Sequence, residues 1–258
     1  MEEISLESTR IALTIGGRAL TFDIKSLDQI VDEIAIGTPT AWERLITPNL
    51  HHAYLLRENP GLHEVYAGAS AVVPDGWPVA RLLSFVGRQP VYRVAGSDVL
   101  EGLLCSAGGG KMLVLVGGKD QSALDRVAAR ARAVGWAVST EQAPAVELEN
   151  KTTRDALIRR VGAAAGDGGI VVLGLGAPKQ ELFARDLSER PGKGHILCLG
   201  MAINFSAGAV SRAPLWMQKY QLEWLFRIKQ ETRRLLPRYT RDAGTLFPLI
   251  LDNVRNRK

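Results

Sequence analysis

A carboxylate at the end of a short apolar run is the first candidate for chemistry in this sequence. Ser70–Val73 has the composition of a buried strand, and Pro74 and Gly76 on either side of Asp75 stop the strand and favour a tight turn. Ligands of open α/β sheets bind at the carboxyl ends of the strands, so an aspartate in this turn suits a general base. The alternative is that Asp75 caps a helix beginning near Trp77.

Two further apolar runs end in glycines, one at Gly117 and Gly118 and the other at Gly174 and Gly176. Glycine after a strand lets a phosphate approach backbone N–H groups at the start of the next helix, where the helix dipole favours anions. Both turns are therefore candidates for a nucleotide site. Neither completes the dinucleotide fingerprint, because Lys179 stands where a third glycine would follow, and plain tight turns are the alternative.

The rest of the chain predicts a scaffold that places such turns at one edge of a sheet. Arg10–Ile15 and Arg18–Asp23 flank two glycines and predict a hairpin, and Ser26 with Gln29 predicts a helix capping box. Further strands are predicted at Arg44–Ile46, Ser70–Val73, Met112–Val116, Trp136–Ser139, Ile170–Leu173 and Ile196–Leu199. Strands that alternate with helices form a mostly parallel sheet with helices on both faces, so the predicted fold class is α/β and Rossmann-like.

Composition excludes several other classes of protein. The 258 residues are 46% hydrophobic and 23% charged, which is typical of a globular protein rather than a disordered one. Cys105 and Cys198 form no CxxC pair, so they predict reduced thiols in a cytosolic protein and no zinc site. The first residues lack the pattern of a secretory signal, and no run reaches the roughly 18 to 20 apolar residues of a spanning helix, so we expect a soluble or peripheral protein.

Positive charge is concentrated towards the C-terminus. The net charge is +5, and residues 209–258 carry eleven basic and four acidic side chains, a charge of +7, which leaves −2 for the residues before them. Phosphates, anionic lipid headgroups and nucleic acid are partners consistent with such a segment. We therefore divide the chain into a Rossmann-like domain at 1–208 and a basic, amphipathic, helical C-terminal appendage at 209–258.

Five short motifs occur in an order and spacing that resemble one enzyme family. They are Thr47–Asn49, Pro74–Gly76, Arg93–Asp98, Gly174–Glu181 and Gly208–Tyr239. Together they cover nearly the whole chain, and the ordered set resembles the WecG/TagA/CpsF family of glycosyltransferases. The sequence departs from the family's pattern at Thr232 and Pro237, which bears on the shape of the last helices.

The resemblance implies an inverting glycosyltransferase that needs no metal and no other cofactor. It would move a sugar from a UDP-sugar to a polyprenyl-diphosphate-linked sugar at the inner face of the cytoplasmic membrane, in cell-surface polysaccharide assembly. N-acetylmannosamine, its uronate and glucose are the candidate sugars. The sequence itself contains no Asp-x-Asp, the usual motif that holds a divalent cation on the diphosphate of a nucleotide sugar. Apolar residues in the hairpin and the appendage also lead us to expect a homo-oligomer.

The resemblance also implies roles for residues at the ends of strands. Asp75 would accept the proton of the acceptor hydroxyl. Thr47 and Asn49 would hydrogen-bond hydroxyl groups of donor or acceptor, with helix capping as the alternative. Gln180 would reach the sugar or the diphosphate, with Lys179 as a counter-charge, unless both belong to a solvated helix face.

Arginines account for the remaining implied contacts. Arg93 would pair with a phosphate and Asp98 with a ribose or sugar hydroxyl, and a surface ion pair is the alternative. In the appendage, Arg227, Arg234 and Arg238 alternate with apolar residues. We expect this segment to act as a lid whose arginines neutralise the diphosphate while its apolar face packs on the main domain or enters the lipid interface. An ordinary amphipathic helix with solvated arginines is the alternative.

Two other functions are compatible with parts of the sequence. An NAD(P)-binding Rossmann oxidoreductase fits a glycine turn after a strand but requires the missing third glycine. A nucleic-acid binder would explain the basic appendage, yet the residues before it have no positive excess with which to follow a phosphate backbone. The four histidines are not grouped with acids or cysteines as in a metal site, so we assign no chemistry to them.

Overall fold

An antiparallel hairpin opens the described part of the chain. The computed structural model describes residues 9–211, 213–214, 216–217, 220, 222–230 and 232–255, without the side chains of residues 230, 232 and 234. The hairpin consists of β1 (Thr9–Ile15) and β2 (Arg18–Ile24), as predicted. Gly16 and Gly17 both have positive φ, the conformation that a two-residue hairpin turn requires.

A six-stranded parallel sheet forms the centre of the fold. Its strands are β3 (Trp42–Ile46), β4 (Ala71–Val72), β5 (Met112–Gly117), β6 (Ala137–Glu141), β7 (Gly169–Gly174) and β8 (Gly194–Cys198). They lie in the order β4-β3-β8-β7-β5-β6, and each neighbouring pair is parallel. The predicted α/β, Rossmann-like class is therefore confirmed, and each predicted strand is present with bounds that shift by one or two residues.

Helices cover both faces of this sheet. They are α1 (Leu27–Ile36), α2 (Leu50–Glu58), α3 (Leu62–Ala67), α4 (Trp77–Gly87), α5 (Gly96–Cys105), α6 (Gln121–Ala133), α7 (Ala145–Glu149), α8 (Lys151–Ala165), α9 (Lys179–Ser188), α10 (Ala202–Ser206), α11 (Glu223–Gln230) and α12 (Thr232–Arg255). The predicted capping box of Ser26 and Gln29 begins α1. Alternate strand residues face opposite sides, so Val114 packs in the core with α8 and α9, whereas Leu113 packs with α5 and α6.

The hairpin is joined to the edge strand of the sheet by one aspartate. Oδ2 of Asp23 accepts a 3.0 Å hydrogen bond from the backbone N–H of Val72 in β4, and Oδ1 accepts a 2.8 Å bond from Arg10. Asp23 is buried at this junction. The carboxylate therefore satisfies a backbone donor of the shortest strand.

The second half of α12 is packed against the hairpin and α2. Leu249 is completely buried in the core that the hairpin also enters. The side chain of Asn253 exchanges two 2.8 Å hydrogen bonds with the backbone of Thr14, and Asp252 pairs with Arg57 at 2.8 Å. The division of the chain at residue 208 stays a prediction, and this half of the appendage is anchored to the main domain.

Candidate active site

A cavity of about 710 Å³ opens at the carboxyl ends of β3, β4, β7 and β8. Ligands of open α/β sheets bind at this edge, and the volume is typical of small-molecule sites. We call the lining that follows these strands the floor; it includes Thr47, Asn49, Asp75, Gly176 and Gln180. We call the lining from α11 and the beginning of α12 the wall; it includes Glu223, Trp224, Arg227, Arg238 and Tyr239.

Backbone hydrogen bonds fix Asp75 at the floor. Its N–H donates to the carbonyl of Pro48 at 2.9 Å, and the N–H of Val94 donates to the carbonyl of Pro74 at 2.8 Å, so the turn is held on both sides. Gly76, at a φ of 84°, precedes α4 and no side-chain hydrogen bond caps that helix. The alternative that Asp75 is a helix cap is therefore wrong.

The surroundings of Asp75 make its carboxylate a stronger base. Burial raises the pKa of Asp75; Arg93, His52 and a hydrogen bond from Asn49 act in the opposite direction, and Glu223 adds to the increase. The net change is upward, and a carboxylate with a raised pKa is better matched to proton transfer near neutral pH.

Arg93 links the floor to the wall. Its guanidinium forms a 2.5 Å ion pair with the carboxylate of Glu223 in α11. Burial lowers the pKa of Arg93, but the carboxylates of Glu223, Asp75 and Asp98 raise it by more, so the side chain stays charged. A cation held between the floor and the wall can pair with an anionic substrate.

A chain of side-chain hydrogen bonds runs beneath the floor. Nδ1 of His52 lies 2.9 Å from Oδ1 of Asn49, and its Nε2 lies 3.3 Å from Oε1 of Glu181. Nε2 of Gln180 donates to the same oxygen of Glu181 at 2.8 Å. Oε1 of Gln180 then accepts a 2.9 Å bond from the N–H of Gly200, which follows β8. These contacts tie the ends of β3, β7 and β8 together.

Two arginines of the wall, Arg227 and Arg238, contact other side chains around the cavity. The guanidinium of Arg227 lies 5.4 Å from the ring centre of Phe205, a cation–π contact. Nε of Arg238 lies 3.6 Å from Asp242, whose other oxygen lies 2.8 Å from Nδ1 of His51. Positive charge therefore reaches the cavity from a helical segment as well as from the floor.

The cavity brings together eight of the predicted site residues. They are Thr47, Asn49, Asp75, Arg93, Gly176, Gln180, Arg227 and Arg238. Asp98, Gly174 and Lys179 are not among the residues that line it. Nζ of Lys179 lies 3.4 Å from Glu149 at the surface, which agrees with the alternative that Lys179 belongs to a solvated helix face. The side chain of Arg234 lies outside the described residues. The roles of all these residues stay predictions.

Three of the predicted positions also serve the local structure. Oγ1 of Thr47 donates to the carbonyl of Cys198 at 3.1 Å. Oδ1 of Asn49 accepts from the N–H of His51 at 3.0 Å and caps α2, so the capping alternative is confirmed for Asn49 although it also lines the cavity. A side chain at Gly174 would come within 3.0 Å of Ile203, so this glycine allows close packing against α10.

A comparison with protein families identifies the chain. The model of the family described as "Glycosyl transferase WecG/TagA/CpsF family" matches residues 17–258. The chain belongs to this family. This WecG/TagA/CpsF protein is therefore a glycosyltransferase of cell-surface polysaccharide synthesis. Membership of the family implies a sugar donor and a lipid-linked acceptor. Nothing supports the oxidoreductase alternative.

Three side chains of the site in the glycosyltransferase are not among the residues predicted from the sequence. His52, Glu181 and Glu223 all contact predicted residues. Glu181 stands next to Gln180 in a predicted motif, and His52 stands three residues after Asn49, the spacing of a capping box; both signals were available. Nothing in the local sequence indicates that Glu223 contacts Arg93, which lies 130 residues earlier in the chain.

The described residues of the glycosyltransferase contain neither a cluster of metal ligands nor a membrane-spanning helix. No group of three or more His, Cys, Asp or Glu side chains in that part of the chain is arranged to hold a metal ion. No helix in the same residues combines the length and the apolar character needed to cross a membrane. Among the described residues, four arginines line the cavity: Arg81, Arg93, Arg227 and Arg238.

Proposed function

We propose that this glycosyltransferase moves a hexose from a UDP-sugar to a polyprenyl-diphosphate-linked sugar by a single inverting displacement without a metal ion. N-acetylmannosamine, its uronate and glucose are the candidate sugars. One observation carries the proposal: a single cavity is lined both by Asp75, with its raised pKa, and by arginines of the floor and the wall.

Asp75 acts as the general base of this reaction. The acceptor hydroxyl loses its proton to the carboxylate while its oxygen bonds to the anomeric carbon. The bond between that carbon and the β-phosphate oxygen breaks, and the electron pair leaves with UDP. Attack from the face opposite to the leaving group inverts the anomeric centre in one step, by analogy with inverting glycoside hydrolysis. Asp75 then returns the proton to solvent.

Arginines stabilise the departing UDP. Negative charge develops on the β-phosphate as the bond breaks, and cations already positioned there lower the barrier. Arg93, Arg227 and Arg238 line the cavity and supply this charge, with Arg234 as a further predicted member. Thr47 and Gln180 hydrogen-bond the sugars, and the turn at Gly176 lies beside the diphosphate.

The wall is the part that meets the membrane. Exposed apolar side chains lie on and around it, among them Trp216, Tyr220, Trp224, Leu225 and Leu236. Arginines interspersed with exposed aromatic and aliphatic residues favour the headgroup region of an anionic bilayer. We therefore place the enzyme on the inner face of the cytoplasmic membrane, where the wall acts as a lid over the site. A homo-oligomer is part of the same proposal.

A panel of UDP-sugars tests the proposal. Each donor is incubated with a short-chain polyprenyl-diphosphate sugar, and UDP release and the glycosylated lipid are measured with and without a chelator of divalent ions. We expect turnover of one donor with an inverted product and no loss of rate with the chelator. Loss of turnover on chelation would contradict the metal-free mechanism, and failure with every donor would contradict the donor class.

A further inference from the structure

A buried carboxylate lies beneath the floor without lining the cavity. Glu181, in the first turn of α9, has no exposed surface. Its Oε1 accepts from Gln180 and faces His52, while its Oε2 has no hydrogen-bond partner among the described residues. A buried charge with unmade hydrogen bonds costs stability, and a well-packed apolar side chain of similar size is often as stable or more so. Folding alone therefore gives no reason for a glutamate at this position.

One branch of hydrogen bonds connects Glu181, through His52 and Asn49, to the proposed base Asp75. A carboxylate only accepts hydrogen bonds, so His52 presents its proton on Nε2, the nitrogen that faces Glu181. Nδ1 then has a lone pair, to which the backbone N–H of Asn49 donates at 3.1 Å. Nδ1 also lies 2.9 Å from Oδ1 of Asn49, a contact that requires the proton on Nδ1, and this is the competing tautomer that Glu181 disfavours. Because Oδ1 of Asn49 accepts from the N–H of His51, its amide nitrogen is the group left to donate to Asp75.

The other branch orients Gln180. Its amide nitrogen donates to Glu181, and its amide oxygen accepts from the N–H of Gly200, so the two ends of the amide cannot exchange. Gln180 is almost fully buried but lines the cavity, and its nitrogen has a second N–H for a ligand. Without the carboxylate, the amide could turn over and present its oxygen instead.

We propose that Glu181 is a positioning residue for sugar transfer, whose carboxylate fixes the tautomer of His52 and the orientation of the Gln180 amide. Asn49 is thereby held in its hydrogen bond to Asp75, and Gln180 keeps a donor directed to the substrate. The inference rests on the proposed function for the reaction that these groups serve, whereas the tautomer of His52 can be measured without that reaction.

Nitrogen-15 NMR of histidine-labelled protein at about pH 7.5 tests the first step. We expect the wild-type His52 to carry its proton on Nε2, with its signals assigned by their loss in His52→Gln. Glu181→Gln should convert this signal to a mixture with the Nδ1-protonated form. Glu189→Gln, the same change at an exposed position just after α9, is the matched control and should leave the tautomer unchanged.

Two results for the tautomer of His52 would overturn the inference. One is a wild-type His52 that is protonated on Nδ1 or is an imidazolium at this pH. The other is a Glu181→Gln protein whose His52 keeps the wild-type tautomer. The first case is measured on the wild type and can therefore overturn the inference even if Glu181→Gln does not fold.

Kinetics test the second step. Because Glu181 does not line the cavity, Glu181→Gln should lower kcat about 10- to 100-fold while KM for the UDP-sugar changes less than about threefold, the loss expected from small misplacement of reacting groups. Thermal unfolding of both glutamine variants gives the folded fraction, and rates are expressed per folded enzyme. If Glu181→Gln does not fold, His52→Gln is measured instead, with the same expected split.

A rise in KM at unchanged kcat, or a wild-type rate per folded enzyme, would overturn the positioning role. If the wild type transfers sugar from no UDP-sugar, the proposed function fails, and the tautomer of His52 still decides whether Glu181 orients these groups.

Discussion

The floor and the wall of the cavity are built in different ways. On the floor, the backbone itself fixes the chemical groups, as in the bonds of Asp75 to Pro48 and of Gly200 to Gln180. The wall is joined to the floor by long side chains, such as the ion pair between Arg93 and Glu223, and Leu225 at its surface is 47% exposed. The group that requires accurate placement thus lies on the rigid part, and the charges that follow a leaving diphosphate lie on the part that can adjust.

The largest effect should come from the floor. Asp75→Asn keeps the shape and the backbone contacts but removes the base, so we expect the transfer rate to fall about 10²- to 10⁴-fold, the usual contribution of general base catalysis. UDP binding should be retained. UDP release with acceptor and a UDP titration measure the two effects. Asp28→Asn, at an exposed position of α1, is the control, and near-normal transfer by Asp75→Asn would remove the proposed base.

Removal of single charges from the wall should have a smaller effect. Arg227→Ala and Arg238→Ala each lose a charge-assisted contact of roughly 1.5 to 3 kcal/mol, which corresponds to about 10- to 150-fold in kcat/KM. Arg233→Ala, which removes an exposed arginine that does not line the cavity, is the matched control. Rates within about twofold of wild type for both cavity variants would show that the wall does not carry the diphosphate charge.

The ion pair between wall and floor should set the acid side of the pH–rate profile. Asp75 must be ionised to act as a base, so activity falls as the pH decreases through its pKa. Glu223 raises that pKa, and Glu223→Gln should therefore move the acid limb of kcat/KM to lower pH. Glu58→Gln, at an exposed position, is the control. A shift to higher pH, or none, would contradict the coupling.

The smallest effect should appear in the scaffold, away from both regions. Burial, and then Arg18, lowers the pKa of His63, so the folded protein holds this side chain neutral. The unfolded chain takes up the proton first as the pH falls below about 6.5, so stability should decrease from there towards the lower pKa of the folded state. Urea unfolding at about pH 7.5 and 5.5 should show a smaller pH dependence for His63→Leu than for wild type. Equal slopes would contradict the prediction.

Local signals in the sequence predicted the sheet and most of the floor. Apolar runs that end in glycine or proline mark the strands, and the carboxyl ends of parallel strands meet at one edge. Asp75 and Asn49 could therefore be placed together although they follow different strands. The Gly16-Gly17 turn and the capping box at Ser26 are equally local, because each depends on residues within four positions.

The missed and misplaced residues depend on tertiary packing. Lys179, Gln180 and Glu181 are polar neighbours that resemble a solvated helix face, yet consecutive helical residues point about 100° apart. Packing of α9 against β3 and β8 buries Gln180 and Glu181 and leaves Lys179 at the surface. Glu223 could not be assigned to Arg93, because the path of the chain between them is not encoded in either local sequence.

The aspartate that closes the hairpin onto β4 also occupies a hydrogen-bond donor at the edge of the sheet. An edge strand with free N–H groups is a template on which a second molecule can add a strand of its own. Because Asp23 already occupies the N–H of Val72, and the hairpin stands beside it, growth of intermolecular β-structure is blocked on this side of the sheet. A carboxylate far from the chemistry thus closes one edge of the folded sheet to the addition of a foreign strand.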